Sequence, residues 1–347
     1  MKKSLLALAV LGAISGSVAA QTNVTIYGLI DVGVVRESGA PAAGSTTKLS
    51  SGIANGSRLG FRGTEDLGGG LQAIFTVENG FQADTGALGQ GGLLFGRQAF
   101  VGLQGGFGAV RLGRQYTAFD VLMGAVDPFF NGLEGKAVNL FARGYVSRVN
   151  NSIMYSSPII GGFQGDVTYG LGEVAGSSAA GRYVGASVGY SAGPLYVRLA
   201  YQDSNTVPAA GVGATPAVLA GSDKNTVLGA TYNFGPVMLH GAYGVTEADR
   251  GGRDTLEFKD AMVGVSVPVG AGKILANFVN RSDDIGTADA RFYGLGYLHS
   301  LSKRTTLHTS YGYMKSRGAG SRGYTVGNAI DAGTGSRGLE VGVRHTF

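Results

Sequence analysis

The sequence predicts an all-β protein: a sixteen-stranded antiparallel transmembrane β-barrel. Three observations carry this expectation. Apolar and polar residues alternate with a period of two along many short segments. Seven tight turns alternate with eight longer polar connections along the chain. The last residue, Phe347, is an aromatic that ends an alternating run.

Composition narrows the alternatives. The chain has 347 residues, 44% hydrophobic and only 15% charged, with 62 Gly, 8 Pro and no Cys or Trp. Glycine is far above its usual ~7%, but no Gly-X-Y period marks a collagen. Aromatic and β-branched residues are too plentiful, and net charge too small, for disorder. The absence of Cys excludes a disulfide scaffold, a thiolate zinc site and a cysteine nucleophile.

At the N-terminus, Lys2 and Lys3 precede the apolar run Leu5–Ile14, followed by small residues ending in Val18-Ala-Ala20. This reads as a secretory signal peptide, residues 1–20, leaving 21–347 as the mature domain. The apolar run is too short to span a bilayer. Cleavage removes two charges from the formal +5. The remaining Lys and Arg are scattered singly, so no basic stripe points to nucleic acid.

The alternation is plain in several segments. Leu195, Val197, Leu199 and Tyr201 take turns with Tyr196, Arg198, Ala200 and Gln202. Leu339, Val341, Val343, His345 and Phe347 take turns with Glu340, Gly342, Arg344 and Thr346. Short turns are expected at Asp66–Gly70, Gly105–Phe107, Pro158–Gly162, Ala192–Pro194, Gly235-Pro236, Pro268–Gly272 and Ser302–Arg304. Long connections are expected at Arg36–Gly56, Gln82–Leu94, Thr117–Ser147, Val174–Gly181, Asn205–Lys224, Ala248–Thr255, Asp283–Ala290 and Arg317–Ser336. That order requires sixteen strands with both termini on the short-turn side, at roughly 20 residues per strand and connector. A soluble sandwich would not separate short from long connections so consistently. A sheet inside a bilayer must close on itself, and one this wide holds water in its lumen.

Several segments resemble the trimeric general porins of the Gram-negative outer membrane. They are Val24-Thr-Ile-Tyr-Gly28, Ser57-Arg-Leu-Gly-Phe-Arg-Gly-Thr-Glu65-Asp-Leu-Gly, Gly96-Arg-Gln-Ala-Phe-Val-Gly-Leu103, Val110-Arg-Leu-Gly-Arg-Gln-Tyr116, Arg148-Val-Asn-Asn-Ser-Ile-Met-Tyr155-Ser-Ser-Pro158 and Val341-Gly-Val-Arg-His-Thr-Phe347. They span the mature chain in family order. The resemblance implies a homotrimer in the bacterial outer membrane, surrounded by lipids including lipopolysaccharide. It implies a water-filled channel for small hydrophilic solutes and ions, with no nucleic-acid partner, cofactor or metal. It also makes Phe347 the signal for membrane insertion.

The resemblance further implies that the third long loop, residues 117–147, folds inward and narrows the pore. Its acids are Asp120, Asp127 and Glu134, and its bases Lys136 and Arg143. Asp127-Pro-Phe-Phe-Asn-Gly132 stands where the family has Pro-Glu-Phe-Gly. Opposite the loop the family places an arginine ladder, here Arg58, Arg97 and Arg114. Parity adds Arg62 to Arg58 if Leu59 and Phe61 face outward. Arg111 and Arg114 have opposite parity, so one points away unless a bulge intervenes, and Arg114, nearest the loop, is expected to be the inward one. An arginine on the lipid face at mid-depth costs roughly 2–4 kcal/mol, which favours inward placement. Arginines on one wall and carboxylates on the other make a transverse field with a moderate anion preference, which Asp31, Glu78 and Asp166 on the strands offset.

Other functions find less support. The histidines are His240, His299, His308 and His345; parity puts His308 in the lumen and His345 at the membrane interface. No Gly-x-Ser-x-Gly elbow is present, and the letters of a dinucleotide fingerprint at Gly318–Gly323 open a loop rather than a helix. Catalysis is not expected. A substrate-selective channel for phosphate, sugar or dicarboxylate on the same barrel is the alternative. An adhesive surface role would use Arg36–Gly56 or Asn205–Lys224, which are poor in aromatic anchors.

Overall fold

The computed structural model describes residues 23–40, 44–142, 144–208, 221–249, 256–284, 286–321 and 323–347. The expected signal peptide, residues 1–20, and Arg143 lie outside them, as do residues 209–220 and 250–255 of the expected connections. The first half of the chain forms β1 (Asn23–Ala40), β2 (Gly44–Ser51), β3 (Arg58–Gly68), β4 (Leu71–Gly80), β5 (Gln98–Gly105), β6 (Gly108–Tyr116), helix α1 (Ala118–Val126), β7 (Arg148–Ser156) and β8 (Phe163–Gly170). The second half forms β9 (Tyr183–Ala192), β10 (Leu195–Asn205), β11 (Ser222–Asn233), β12 (Met238–Asp249), β13 (Leu256–Val269), β14 (Gly272–Asp283), β15 (Ala290–Ser300), β16 (Thr305–Ser316) and β17 (Arg337–Thr346). All pair antiparallel in one sheet, which closes where β1 pairs with β17. At that seam Phe347 and Gly28 exchange two backbone hydrogen bonds, 3.0 and 3.1 Å.

Seventeen segments make sixteen barrel strands, because β2 and β3 are one strand in two pieces. The turn-side half of β1 pairs with β3, and its loop-side half with β2. Between the pieces, residues 52–57 leave the sheet. Asp31 holds this excursion: its carboxylate accepts the N–H groups of Ile53, Ala54 and Asn55 at 3.0, 3.2 and 3.1 Å. The expected long connection Arg36–Gly56 is therefore mostly strand. It reads as loop in sequence because Leu49 is the one large apolar residue in β2.

The sheet is apolar outside and polar inside. On β17, Val341 is 62% exposed while its neighbour Glu340 is 1% exposed. On β10, Leu199 and Tyr201 are exposed while Arg198 and Gln202 are buried. A soluble sandwich would reverse this. No helix among the described residues is long and apolar enough to cross a membrane; the strands make the crossing.

The third long connection begins and ends where the sequence predicts, between Tyr116 and Arg148, and it folds into the barrel. Thr117 caps α1 by accepting the Asp120 N–H at 3.1 Å. The buried face of α1 (Phe119, Leu122, Met123, Val126) joins Leu140 and Phe141 against Ala200, Val227, Ala242, Met262 and Val279 of β10–β14. Each such side chain contributes about 1.5–3 kcal/mol by leaving water. The barrel thus has a core within its lumen, confined to one side. Glycines make that wall flat enough: a Cβ on Gly229 would lie 2.8 Å from Val126, and one on Gly264 2.8 Å from Pro128.

Candidate functional site

The part of the lumen that the loop leaves open contains a cavity of about 470 Å³. One side is the wall from β3 to β7, with Arg58, Arg97, Tyr116 and Arg148; the other is the loop, with Asp120, Asn131, Lys136 and Tyr145. Thr117 N–H donates to the Ser147 carbonyl at 3.0 Å, so the loop is pinned at its base beside Tyr116 and Arg148.

The wall is a cationic cluster around one carboxylate and one ring. Arg97 Nε donates to Glu78 Oε1 at 2.7 Å, and Arg58 Nη1 lies 4.0 Å from Glu78 Oε2. Tyr27 OH also donates to Glu78, at 2.9 Å. The Tyr116 hydroxyl accepts from both Arg97 and Arg148, the latter at 2.8 Å. The Arg148 guanidinium sits 4.4 Å from the Tyr116 ring centroid, a cation–π arrangement. Arg58 is held by its Nε–H on the Gly56 carbonyl at 3.0 Å. Two guanidiniums thus share the Glu78 carboxylate while a third, Arg148, rests on Tyr116, and the surplus is positive. Arg97 is the most deeply placed of them, 5% exposed.

The loop acids have distinct positions. Asp120 lines the cavity and accepts from Tyr145 OH at 2.8 Å. Burial pushes its carboxyl above the ordinary value; the Tyr145 hydroxyl and the charges of Arg148 and Arg97 oppose the rise. Burial and Asp120 together push the Tyr145 phenol up. Asp127 is fully buried and points into the loop itself. Its oxygens accept from the N–H groups of Phe129, Asn131 and Ala137 at 3.1, 3.3 and 2.9 Å. Burial raises it to about 6 against these bonds. Glu134 is also fully buried; it takes a hydrogen bond from Asn328 at 3.2 Å. Burial raises it to about 7, with the neighbouring Glu37 and Glu340 charges adding to the rise. Asp127 and Glu134 therefore do not line this cavity. A charged loop residue reads as water-facing in sequence, whereas these two satisfy donors of a chain packed inside the barrel.

Arg62 and Arg114 also lie outside the cavity. Arg62 shares the face of Arg58 but sits near the turn end of β3, 5.3 Å from the Tyr27 ring centroid. Arg114 donates to the Gly96 carbonyl at 2.8 Å and bonds Asn150. It has the parity of the exposed Leu112, whereas Arg111 turns inward. The β6–β7 register does shift, between Gly113 and Gln115. The extra residue is on β7, so parity along β6 up to Gln115 is unchanged. Arg148 and Tyr116 complete the site; both lie in segments that carry the family resemblance, but nothing in those segments assigns them to the pore wall. The available signal is position: they flank the loop, so they must stand at its base.

His308 is buried in the lumen as parity predicts, with Nδ1 2.8 Å from Glu340 and Nε2 3.4 Å from Asp31. His345 lies beside Thr305, 3.0 Å away, at the turn end of the seam.

A closed sheet with an oily exterior, a lumen narrowed by an inserted loop and charges at the narrowing define a strand-built channel through a bilayer. The chain belongs to the Gram-negative porin family, whose sequence profile matches residues 7–319. It is similar to outer membrane porin protein 32 of Delftia acidovorans, 35% identical over the whole of both chains. It is similar also to an outer membrane porin protein of Bordetella pertussis, 33% identical over the whole of both. Among solved structures, the anion-selective porin from Comamonas acidovorans covers 94% of this chain and all of its own, at 33% identity and a TM-score of 0.80. The trimer form of OmpT from Vibrio cholerae is 18% identical with a TM-score of 0.70, a likeness of fold. The protein is thus a multi-pass porin of the bacterial outer membrane, and its family and fold are those of a channel.

Proposed function

We propose that small hydrophilic solutes diffuse passively between the β3–β7 wall and the loop, and that Arg58, Arg97 and Arg148 favour anions there. The observation that carries this is the charge surplus: three cavity-lining guanidiniums, two of them paired with Glu78, faced by one cavity-lining loop acid, Asp120. A cation entering meets uncompensated positive charge in a narrow, low-dielectric passage, whereas an anion is stabilised. The similar protein of Comamonas acidovorans is an anion-selective porin, in keeping with this reading. In a salt gradient across a planar bilayer, Arg58→Ser with Arg97→Ser should move the reversal potential toward zero or to cation preference. An unchanged potential would reject the reading.

The loop, residues 117–147, forms the narrowing on this reading. Arg62 and Arg114 have no part in it, and Asp127 and Glu134 shape the loop without meeting solute. Residues 1–20 are removed on export, and Phe347 serves as the insertion signal, in keeping with its place at the barrel seam. The protein works as a homotrimer among outer-membrane lipids, including lipopolysaccharide. Native mass spectrometry of the membrane-extracted protein should give three copies, each beginning at Gln21; a monomer, or a chain retaining Met1, would refute the corresponding part.

A further inference from the structure

A second chamber of about 420 Å³ lies in the lumen on the turn side of the first. Tyr116 and Val121 border both, so the two chambers are neighbours. Its charged residues are Arg111, Asp166 and Arg198. Asp166 is fully engaged: it accepts from Ser156 at 2.6 Å, from Ser187 at 3.0 Å and from Arg198. Arg111 hydrogen-bonds only neutral groups, donating to Ser156 Oγ at 2.6 Å and touching Met154 Sδ at 3.2 Å, while the Asp166 charge acts on it without a direct bond. Its Nε–H is buried with no hydrogen-bond partner among the described residues. The chamber therefore holds one net positive charge. Around that charge the surface is more oily than in the first chamber, with Ile74, Phe100, Ala109 and Met154 on its walls. The Arg111 guanidinium stands 5.8 Å from the Phe100 ring centroid.

We propose that this chamber is a second station that holds aromatic monocarboxylates. One positive charge matches one carboxylate, which Arg111 takes at Nη1, the nitrogen left over when Nη2 turns to Ser156 and Met154. The ring of the ligand then lies against Phe100 and Met154, where aromatic and sulfur contacts favour it. Small multivalent anions have less to gain here and are held by the richer cluster above. This assignment rests on the channel reading and adds a solute class to it.

The test is single-channel recording of the membrane-extracted protein in potassium chloride, with sodium benzoate, sodium acetate or sodium sulfate titrated on each side. Benzoate should reduce chloride current in a saturable way, at lower concentration than acetate. Arg111→Gln should raise its half-blocking concentration about tenfold. Arg58→Ser should weaken block by sulfate and leave that by benzoate within about twofold. A benzoate block indifferent to Arg111→Gln, or one weakened as much by Arg58→Ser, overturns the station. Should Arg111→Gln give no channels, Phe100→Leu carries the test: weaker benzoate block with unchanged acetate block supports the station, and equal changes overturn it. Failure of the channel reading itself shows separately, as a wild-type reversal potential without anion preference.

Discussion

Single residues in this barrel are governed by where water is. Glu134 shows it most clearly. Its carboxyl, ordinarily near 4.5, is raised to about 7, mainly by burial, with Glu37 and Glu340 adding to the rise and Asn328 and Lys136 opposing it. Well below pH 4.5 the group is neutral in both folded and unfolded chain. Between the two values the folded state holds the extra proton, so stability falls as pH climbs toward 7. Thermal unfolding followed from about pH 5 to about pH 8 should show this loss, on the order of 2 kcal/mol from Glu134 with a further share from Asp127, and Glu134→Gln should remove the Glu134 share and flatten the slope. An identical slope in variant and wild type would contradict the assignment. At this scale the sequence is partly legible. Parity places Arg58 and His308 in the lumen and sets Arg111 against Arg114, but nearness to the loop is the wrong guide to which of those two faces in. Nor does parity separate a carboxylate that faces solute from one that satisfies a loop. That distinction depends on distant partners such as Ser310, whose hydroxyl accepts the Glu134 N–H from a strand 176 residues away.

Elements are set by alternation and by glycine. The seven short turns fall where the sequence marks them, because Gly, Pro, Asp and, at Ser302–Arg304, a serine hydroxyl that accepts the next N–H groups make reversals for local reasons. The broken second strand escapes sequence reading, since Asp31 holds residues 53–55 across more than twenty positions. The wall glycines are similarly silent in sequence: a strand glycine reads as weakness until the packed loop is seen. Gly312 lies under the Glu134 carbonyl, and a Cβ there has no room. Gly312→Val should cost about 1–3 kcal/mol by overpacking and unseat the loop. The expected signs are a lower melting temperature and a larger single-channel conductance. Gly241→Val is the control, because a Cβ there meets nothing nearer than 3.9 Å. If both variants match wild type, the wall glycines do not seat the loop.

At the scale of the whole molecule, the sheet is inverted relative to a soluble protein. Hydrocarbon takes the part of the core for the outer face, and the loop supplies a small core of its own within. This is legible because each strand repeats the same two-faced pattern, so errors in one segment do not disturb the rest. The division of the lumen stays hidden. The loop's apolar face occupies the β10–β14 side, which leaves solutes the β3–β7 side and its arginines. No single strand encodes that asymmetry; it arises from contacts between residues over a hundred positions apart, such as Ala142 N–H donating to Asp260 at 2.7 Å.

The seam between β1 and β17 has a consequence for biosynthesis. The first strand made finds its second neighbour only when the last is complete, ten residue pairs joining Leu29–Ser38 to Arg337–Thr346. A nascent chain truncated before Arg337 therefore has two raw edges, and lipid offers nothing to bond them. Truncation before Arg337 should therefore abolish channel formation altogether rather than leave a leaky pore.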